Sequence, residues 1–207
     1  MSKRERAGYH HGNLRHALLE AARRLIEEKG TSGFTLAEAA RTAGVSAAAP
    51  YRHFKDRSDI LGALAVEGFD AFADQLEAAW QDGEPEPIDA FLRVGRAYLT
   101  FAVDESAAYR AMFDTSDAAG EVAGLRRASG RAFDVLRNCV AALLERMPAK
   151  ERPPVDLVAV HVWALTHGTA TLFAENNPGR GRVPISGNDI LESSVLVYLR
   201  GLGILPR

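Results

Sequence analysis

Apolar residues recur at three- and four-residue steps along almost the whole chain, and no strand-like alternation of useful length interrupts them. Leu14, Leu18, Ala21, Leu25 and Ile26 form the first stripe, with Arg15, Arg23, Arg24 and Glu27 elsewhere on the turn. This predicts a helix capped by Asn13 and running to about Lys29, where Gly30 and Gly33 break it. A short helix is expected from about Leu36 to Ala43, and another from Ser46 to near Phe54. Asp56 or Ser58 then opens a long helix through Leu61, Leu64, Phe69, Phe72, Leu76 and Trp80. The run Asp82-Gly83-Glu84-Pro85-Glu86-Pro87 punctuates the chain. Further helices are expected over 88–103, 106–114, 121–147, 155–175 and 189–202, with a Gly-, Pro- and Arg-rich loop over 176–188. The pattern predicts an all-α fold of about nine helices: a small head, a long connecting helix and a larger bundle.

The segment Thr35 to Lys55, TLAEAARTAGVSAAAPYRHFK, carries the densest local signals. Thr35 with Glu38 three residues on has the spacing of a capping box, in which hydroxyl and carboxylate satisfy each other's orphan N–H groups. Gly44 supplies the left-handed conformation that ends a helix at low steric cost, and Ser46 is suited to cap the next one. Two short helices about the turn Gly44-Val45-Ser46 make a helix-turn-helix, whose second helix lies in the DNA major groove. That helix opens on Ala47-Ala48-Ala49, small enough for close approach to bases. It continues through Pro50 to Tyr51, Arg52, His53 and Lys55, donors suited to phosphates and base edges.

Segment 13–57 resembles the DNA-binding domain of the TetR/AcrR family of bacterial transcriptional regulators. The likeness rests on the amphipathic first helix, Phe34-Thr35, Ala40, Gly44-Val45-Ser46 and the Tyr51-x-His53-Phe54-Lys55 run. Tyr9-His10-His11-Gly12-Asn13-Leu14-Arg15 and the later Trp163-x-x-x-His167-Gly168 resemble the subgroup with a Trp-His-Gly C-terminal domain. The resemblance implies a basic N-terminal arm over 1–12, a DNA-binding domain over 13–57 and a ligand-binding and dimerisation domain over 58–207. It implies that Thr35 and Tyr51 meet phosphates, flanked by His53 and Lys55, and that Ser46, Ala47, Ala48, Ala49 and Arg52 lie nearest the bases. Apolar contact with thymine methyls is then the readout open to the alanines. Arg52 is either a bidentate reader of guanine or a phosphate clamp, and His53 either contacts DNA or bridges helix ends. Family members often carry a glycine or a longer polar side chain where this chain has Ala47 or Ala48. Some carry a base-reading arginine where it has Ala37.

By the same resemblance the chain is a homodimeric repressor of a palindromic double-stranded operator, released by a small molecule in the C-terminal bundle. Tyr98, Phe101, Tyr109, Phe113, Trp163 and His167 are the ligand-lining candidates, each equally at home in a helical core. The last two helices, with Val158, Val162, Leu165, Thr169 and Leu172 on one and Leu191, Val195, Tyr198 and Leu202 on the other, would pair with a second copy as a four-helix bundle. The competing reading is that these stripes fill the core of one chain.

Charge agrees with a nucleic-acid partner. Residues 1–60 carry 11 Lys/Arg against 7 Asp/Glu, the remainder 14 against 20, so a basic head precedes an acidic body. Lys3, Arg4, Arg6 and His10-His11 either enter an adjacent minor groove or merely aid solubility. The single cysteine, Cys139, permits no intrachain disulfide and suits a reducing, cytoplasmic setting. The first residues lack the apolar segment of a secretory signal. Leu157 to Ala174 has no formal charge, but its His and Thr content and lack of basic flanks favour a buried helix over a membrane span. His161, His167 and Glu175 do not share one helix face, and HExxH, GxSxG and a phosphate-binding glycine loop are missing. No enzyme, cofactor or metal is expected. A helical adaptor for protein partners is the alternative, but it leaves Tyr51 to Lys55 unexplained.

Overall fold

The computed structural model describes residues 3–114, 124–174 and 184–205, with side chains of the first helix from Leu14 onward. Among the described residues there are eight α-helices, three short 3-10 turns and no strand. The helices are α1 (Lys3–Lys29), α2 (Leu36–Thr42), α3 (Arg57–Trp80), α4 (Pro87–Asp104), α5 (Ser106–Phe113), α6 (Leu125–Leu144), α7 (Val155–Leu172) and α8 (Gly187–Gly201). The chain divides into two compact units, one of Met1–Phe69 with Glu105–Ala128, the other of Asp70–Asp104 with Ser129–Arg207.

Two expectations about the first unit change. Helix α1 does not start at Asn13 but runs back to Lys3, so Asn13 lies inside it. No proline interrupts 3–12, and Gly8 and Gly12 each cost only about 1 kcal/mol relative to alanine. The second change lies over 46–54. Where an α-helix was expected from Ser46 to Phe54, the chain forms a turn and then a 3-10 helix, Pro50–Arg52. Pro50 has no N–H to give the Ser46 carbonyl, which accepts instead from the Ala49 N–H at 2.9 Å. Arg52 and His53 continue the tighter pattern, donating to Ala49 and Pro50 at 3.3 and 2.8 Å.

The core of this unit holds Leu18, Leu19, Ala22, Leu25 and Ile26 of α1, Leu36 and Ala39 of α2, and Ile60, Leu61 and Leu64 of α3. Phe34 and Phe54 enter it from the loops. Each fully buried Leu or Ile contributes about 1.5–3 kcal/mol over leaving it exposed. Helix α5, which chain order groups with the bundle, supplies Ala107 and Ala111 to this core. Small residues let α5 approach α1, and the Arg110 guanidinium donates to the Ile26 carbonyl at 3.4 Å. Periodicity identifies such a helix but not the neighbour it covers.

Helix α2 is closed at both ends. The Thr35 hydroxyl accepts from the Glu38 N–H at 3.2 Å, while the Glu38 carboxylate accepts from the Thr35 N–H at 2.9 Å. At the other end Gly44 adopts φ +72°, the Gly44 N–H donates to Arg41 and the Val45 N–H to Ala40. This is a Schellman closure, with Val45 seated against the core.

In the second unit Phe72 of α3 packs against Tyr98 and Phe101 of α4, with ring centroids 4.9 and 5.0 Å apart. Helix α8 comes close to α4 at Gly95, where an added Cβ would sit 3.0 Å from Leu191 Cδ2. Arg96 and Glu192 pair across the same two helices. The α6 guanidinium of Arg131 reaches Asp74 and Glu77 of α3 at 2.6 and 2.8 Å. Helix α8 begins before the expected position 189 because Ser186 and Asp189 form a second capping box. Buried Thr166 and Thr169 of α7 return their hydroxyls to the Val162 and Leu165 carbonyls, which is how an uncharged helix carries polar residues inward. Burial pushes the Cys139 thiol up to about 12, leaving it a small core residue. No helix among the described residues is long and apolar enough to cross a membrane. The expected helix start at 121 and most of the 176–188 loop lie outside the described residues.

Candidate nucleic-acid interface

Segment 46–55 is an exposed rim held by two buried anchors. Pro50 and Phe54 face inward, while Ser46, Ala47, Ala48, Tyr51, Arg52 and Lys55 are exposed and Ala49 and His53 half-buried. Tyr51 is 63% exposed, an unusual setting for a large aromatic side chain with a phenolic donor. The Arg15 guanidinium of α1 lies 5.8 Å from the Phe54 ring centroid and pairs with Glu67 of α3, fixing the rear of the segment. His53 leans toward Phe54, ring centroids 6.5 Å apart.

The segment leads into α3 through a tight cap. The Asp56 carboxylate accepts from the Asp59 N–H at 3.0 Å, and the Asp59 carboxylate accepts from the Lys55 N–H at 3.0 Å. Arg57 donates to the Ser32 carbonyl at 2.6 Å, tying the first turn of α3 to the loop before α2. Neither Asp59 nor Arg57 was singled out from the sequence, although the Asp56-x-x-Asp59 spacing is that of an N-cap and its N3 partner.

Thr35 is exposed, but its single hydroxyl proton goes to Glu38 at 3.1 Å. Lys29 holds the same carboxylate at 3.0 Å. The Lys29 ammonium, followed by the Thr35 N–H, keeps the Glu38 carboxyl below the usual carboxylate range. Thr35 therefore meets a phosphate through its hydroxyl proton only by giving up the bond to the Glu38 carboxylate, while its oxygen can go on accepting the Glu38 N–H that caps α2. The side chains of the basic arm, Lys3, Arg4, Arg6 and His10-His11, lie outside the described residues.

The expected ligand-lining residues divide between the two units. In the second, Tyr98 Oη lies 2.9 Å from His167 Nδ1, and Trp163 faces both His167 and Phe133 with centroids 6.1 Å away. Phe101 is fully buried beside Phe72, and Trp163 is 39% exposed. Burial pushes the His167 imidazolium pKa down and favours the neutral ring. Tyr109 and Phe113 belong to the first unit, where Phe113 packs on Tyr109 and on Phe69 at 4.8 and 5.6 Å.

The stripes expected at a dimer seam are largely spent inside one chain. Val158, Val162, Thr169, Leu191 and Val195 are buried within the second unit, while Leu165, Tyr198 and Leu202 are half-buried. Leu172 is exposed, as are Leu157, Val160 and Val197. Helix α7 is apolar over most of its circumference, so periodicity could not say which stripe turns inward. His161 of this outer face accepts or donates a 2.9 Å hydrogen bond with Tyr198 of α8. Glu175 lies outside the described residues, among which no group of three His, Cys, Asp or Glu side chains suits a metal ion.

Comparison with known proteins bears on this arrangement. Residues 18–64 match the family described as bacterial regulatory proteins, tetR family. Residues 91–195 match the tetracyclin repressor-like C-terminal domain. The chain is similar to the HTH-type transcriptional regulator AcrR of Shigella flexneri, 29% identical over 174 residues that cover 78% of this chain and 77% of that relative. It is 33% identical over 110 residues to the HTH-type transcriptional regulator BetI of Rhizobium meliloti (strain 1021). That likeness covers 52% of this chain and about half, 54%, of the relative. A solved structure of a protein with unknown function from Rhodococcus sp. RHA1 is 30% identical, with a TM-score of 0.76 over 93% of this chain and 97% of that one. A matched helix-turn-helix head and a matched repressor-like domain in one helical chain place it in the TetR family of bacterial DNA-binding transcriptional regulators.

Proposed function

We propose that the chain is a homodimeric repressor that grips a palindromic operator through segment 46–55 and lets go when a small molecule binds in its second unit. The observation that carries the DNA-binding part is the outward set Tyr51, Arg52 and Lys55 on a rim whose inner residues, Pro50 and Phe54, are locked in the core. Arg52 is the leading reader of a base edge, because Ala47, Ala48 and Ala49 have only methyl groups to offer. Tyr51 and Lys55 position the head on phosphates.

A segment this short reads only a few base pairs, so two copies related by a two-fold axis supply the rest. The outer face of α7 and α8, with Leu157, Val160, Leu172 and Val197 exposed, supports pairing with a second copy there. The Tyr98–His167 pair beside Trp163 supports an effector with an apolar body and one polar group, bound by those residues and Phe101. Trp163, His167 and Gly168 favour the subgroup with a Trp-His-Gly C-terminal domain. Selection of bound fragments from random duplex DNA tests the reading. The expected result is an inverted repeat with half-sites about one helical turn apart or a multiple of it. Recovery of an unpaired, asymmetric site contradicts the dimeric operator, and no enrichment at all contradicts sequence-specific binding.

A further inference from the structure

We infer that Asp59 is a positioning residue for DNA binding, acting through the main chain of Lys55. The inference rests on Lys55 meeting a phosphate. Lys55 sits one residue before the N-cap of α3, between buried Phe54 and exposed Asp56. An exposed lysine in a linker samples many directions, and fixing its backbone removes part of the entropy cost of ordering it on DNA. Here the backbone is fixed. The Asp59 carboxylate, one turn into α3, reaches back to the Lys55 N–H at 3.0 Å, and its own N–H is held by Asp56 at 3.0 Å.

An ordinary capping box would direct the N3 carboxylate to the N-cap N–H, as Glu38 does at Thr35 and Asp189 does at Ser186. Asp59 passes over its N-cap, Asp56, and takes the residue before it. The Arg57 bond to the Ser32 carbonyl secures the same turn, so Lys55 is referred to a fixed frame. A carboxylate beside a phosphate-facing lysine is electrostatically unfavourable for DNA binding. Its presence there makes sense if the acceptor, and not the charge, is what the site uses.

The test compares the full chain with Lys55→Ala, Asp59→Ala, Asp59→Asn and the Lys55→Ala/Asp59→Ala double variant on random duplex DNA across a salt series. Lys55→Ala lowers the salt slope by about 0.9, one phosphate contact. Asp59→Ala produces the same loss and adds nothing in the Lys55→Ala background, whereas Asp59→Asn, which keeps an acceptor without charge, holds the wild-type slope. A merely structural role for Asp59 would cost affinity equally in both backgrounds, and that result overturns the inference. So does an unchanged slope in Asp59→Ala, or a lost slope in Asp59→Asn. If Lys55→Ala leaves the slope unchanged, the phosphate reading of Lys55 falls and this inference falls with it. Hydrogen exchange at the Lys55 amide gives a readout without DNA. It should quicken in a folded Asp59→Ala protein and stay slow in Asp59→Asn; equal rates in the two overturn the proposed bond.

Discussion

Tyr98 Oη and His167 Nδ1 lie 2.9 Å apart, joining α4 to α7 across 69 residues of sequence. Burial lowers the His167 pKa, so the folded chain takes up this proton less readily than the unfolded chain does. Stability then rises with pH between the lowered folded value and the ordinary value of about 6.5, and is lost as pH falls through that interval. Thermal midpoints are expected to drop as the pH falls below the ordinary histidine value of about 6.5, and His167→Gln should flatten part of that drop. A pH profile unchanged by the substitution would show that His167 is not a source of it.

Thr35 serves the fold before it serves DNA. With its hydroxyl both accepting from and donating to Glu38, Thr35→Ala should lower stability by about 1 kcal/mol, within the usual range for a lost N-cap. Thr35→Ser, which retains the hydroxyl, should recover most of it. Equal melting behaviour of the alanine variant and the parent chain would refute the cap.

Arg52→Ala should cost about 1–3 kcal/mol of operator affinity and relax preference at one base pair, if the guanidinium reads a base edge. The check is a titration against single-position operator variants. Uniform weakening across all of them would reassign Arg52 to a phosphate.

The exposed face of α7 and α8 makes a claim about assembly. Val160→Glu or Val197→Glu places a charge on that face without disturbing the buried stripe of Val158, Val162 and Val195. Light scattering after size exclusion should show a dimer for the parent chain and a monomer for either variant. A parent chain that stays monomeric at micromolar concentration would remove the dimer itself.

Much of this molecule was legible in its residues, and the failures fall into local and long-range kinds. Thr35 with Glu38 and Gly44 with Val45 act through bonds only a few residues long, so spacing alone locates both ends of α2. Tyr51, Arg52 and Lys55 stand outward as their polarity suggests. The start of α1 and the 3-10 form of Pro50–Arg52 were missed because one depends on the lack of a strong stop and the other on a single absent N–H. What periodicity could not supply is which neighbour a helix covers. Ala107 and Ala111 join the first unit's core, half-buried Tyr109 and Phe113 belong to the same unit, and Val158 and Val162 turn inward. These are long-range packing choices, to which a three- or four-residue rhythm is blind.

The central claim is that segment 46–55 makes this chain a duplex-DNA-binding protein, and the salt dependence of its binding tests that most directly. The purified chain should retard random duplex DNA at about 50 mM salt, with log affinity falling linearly against log salt up to about 200 mM. Failure to bind at the lower salt, or tight binding that ignores salt, would contradict the account.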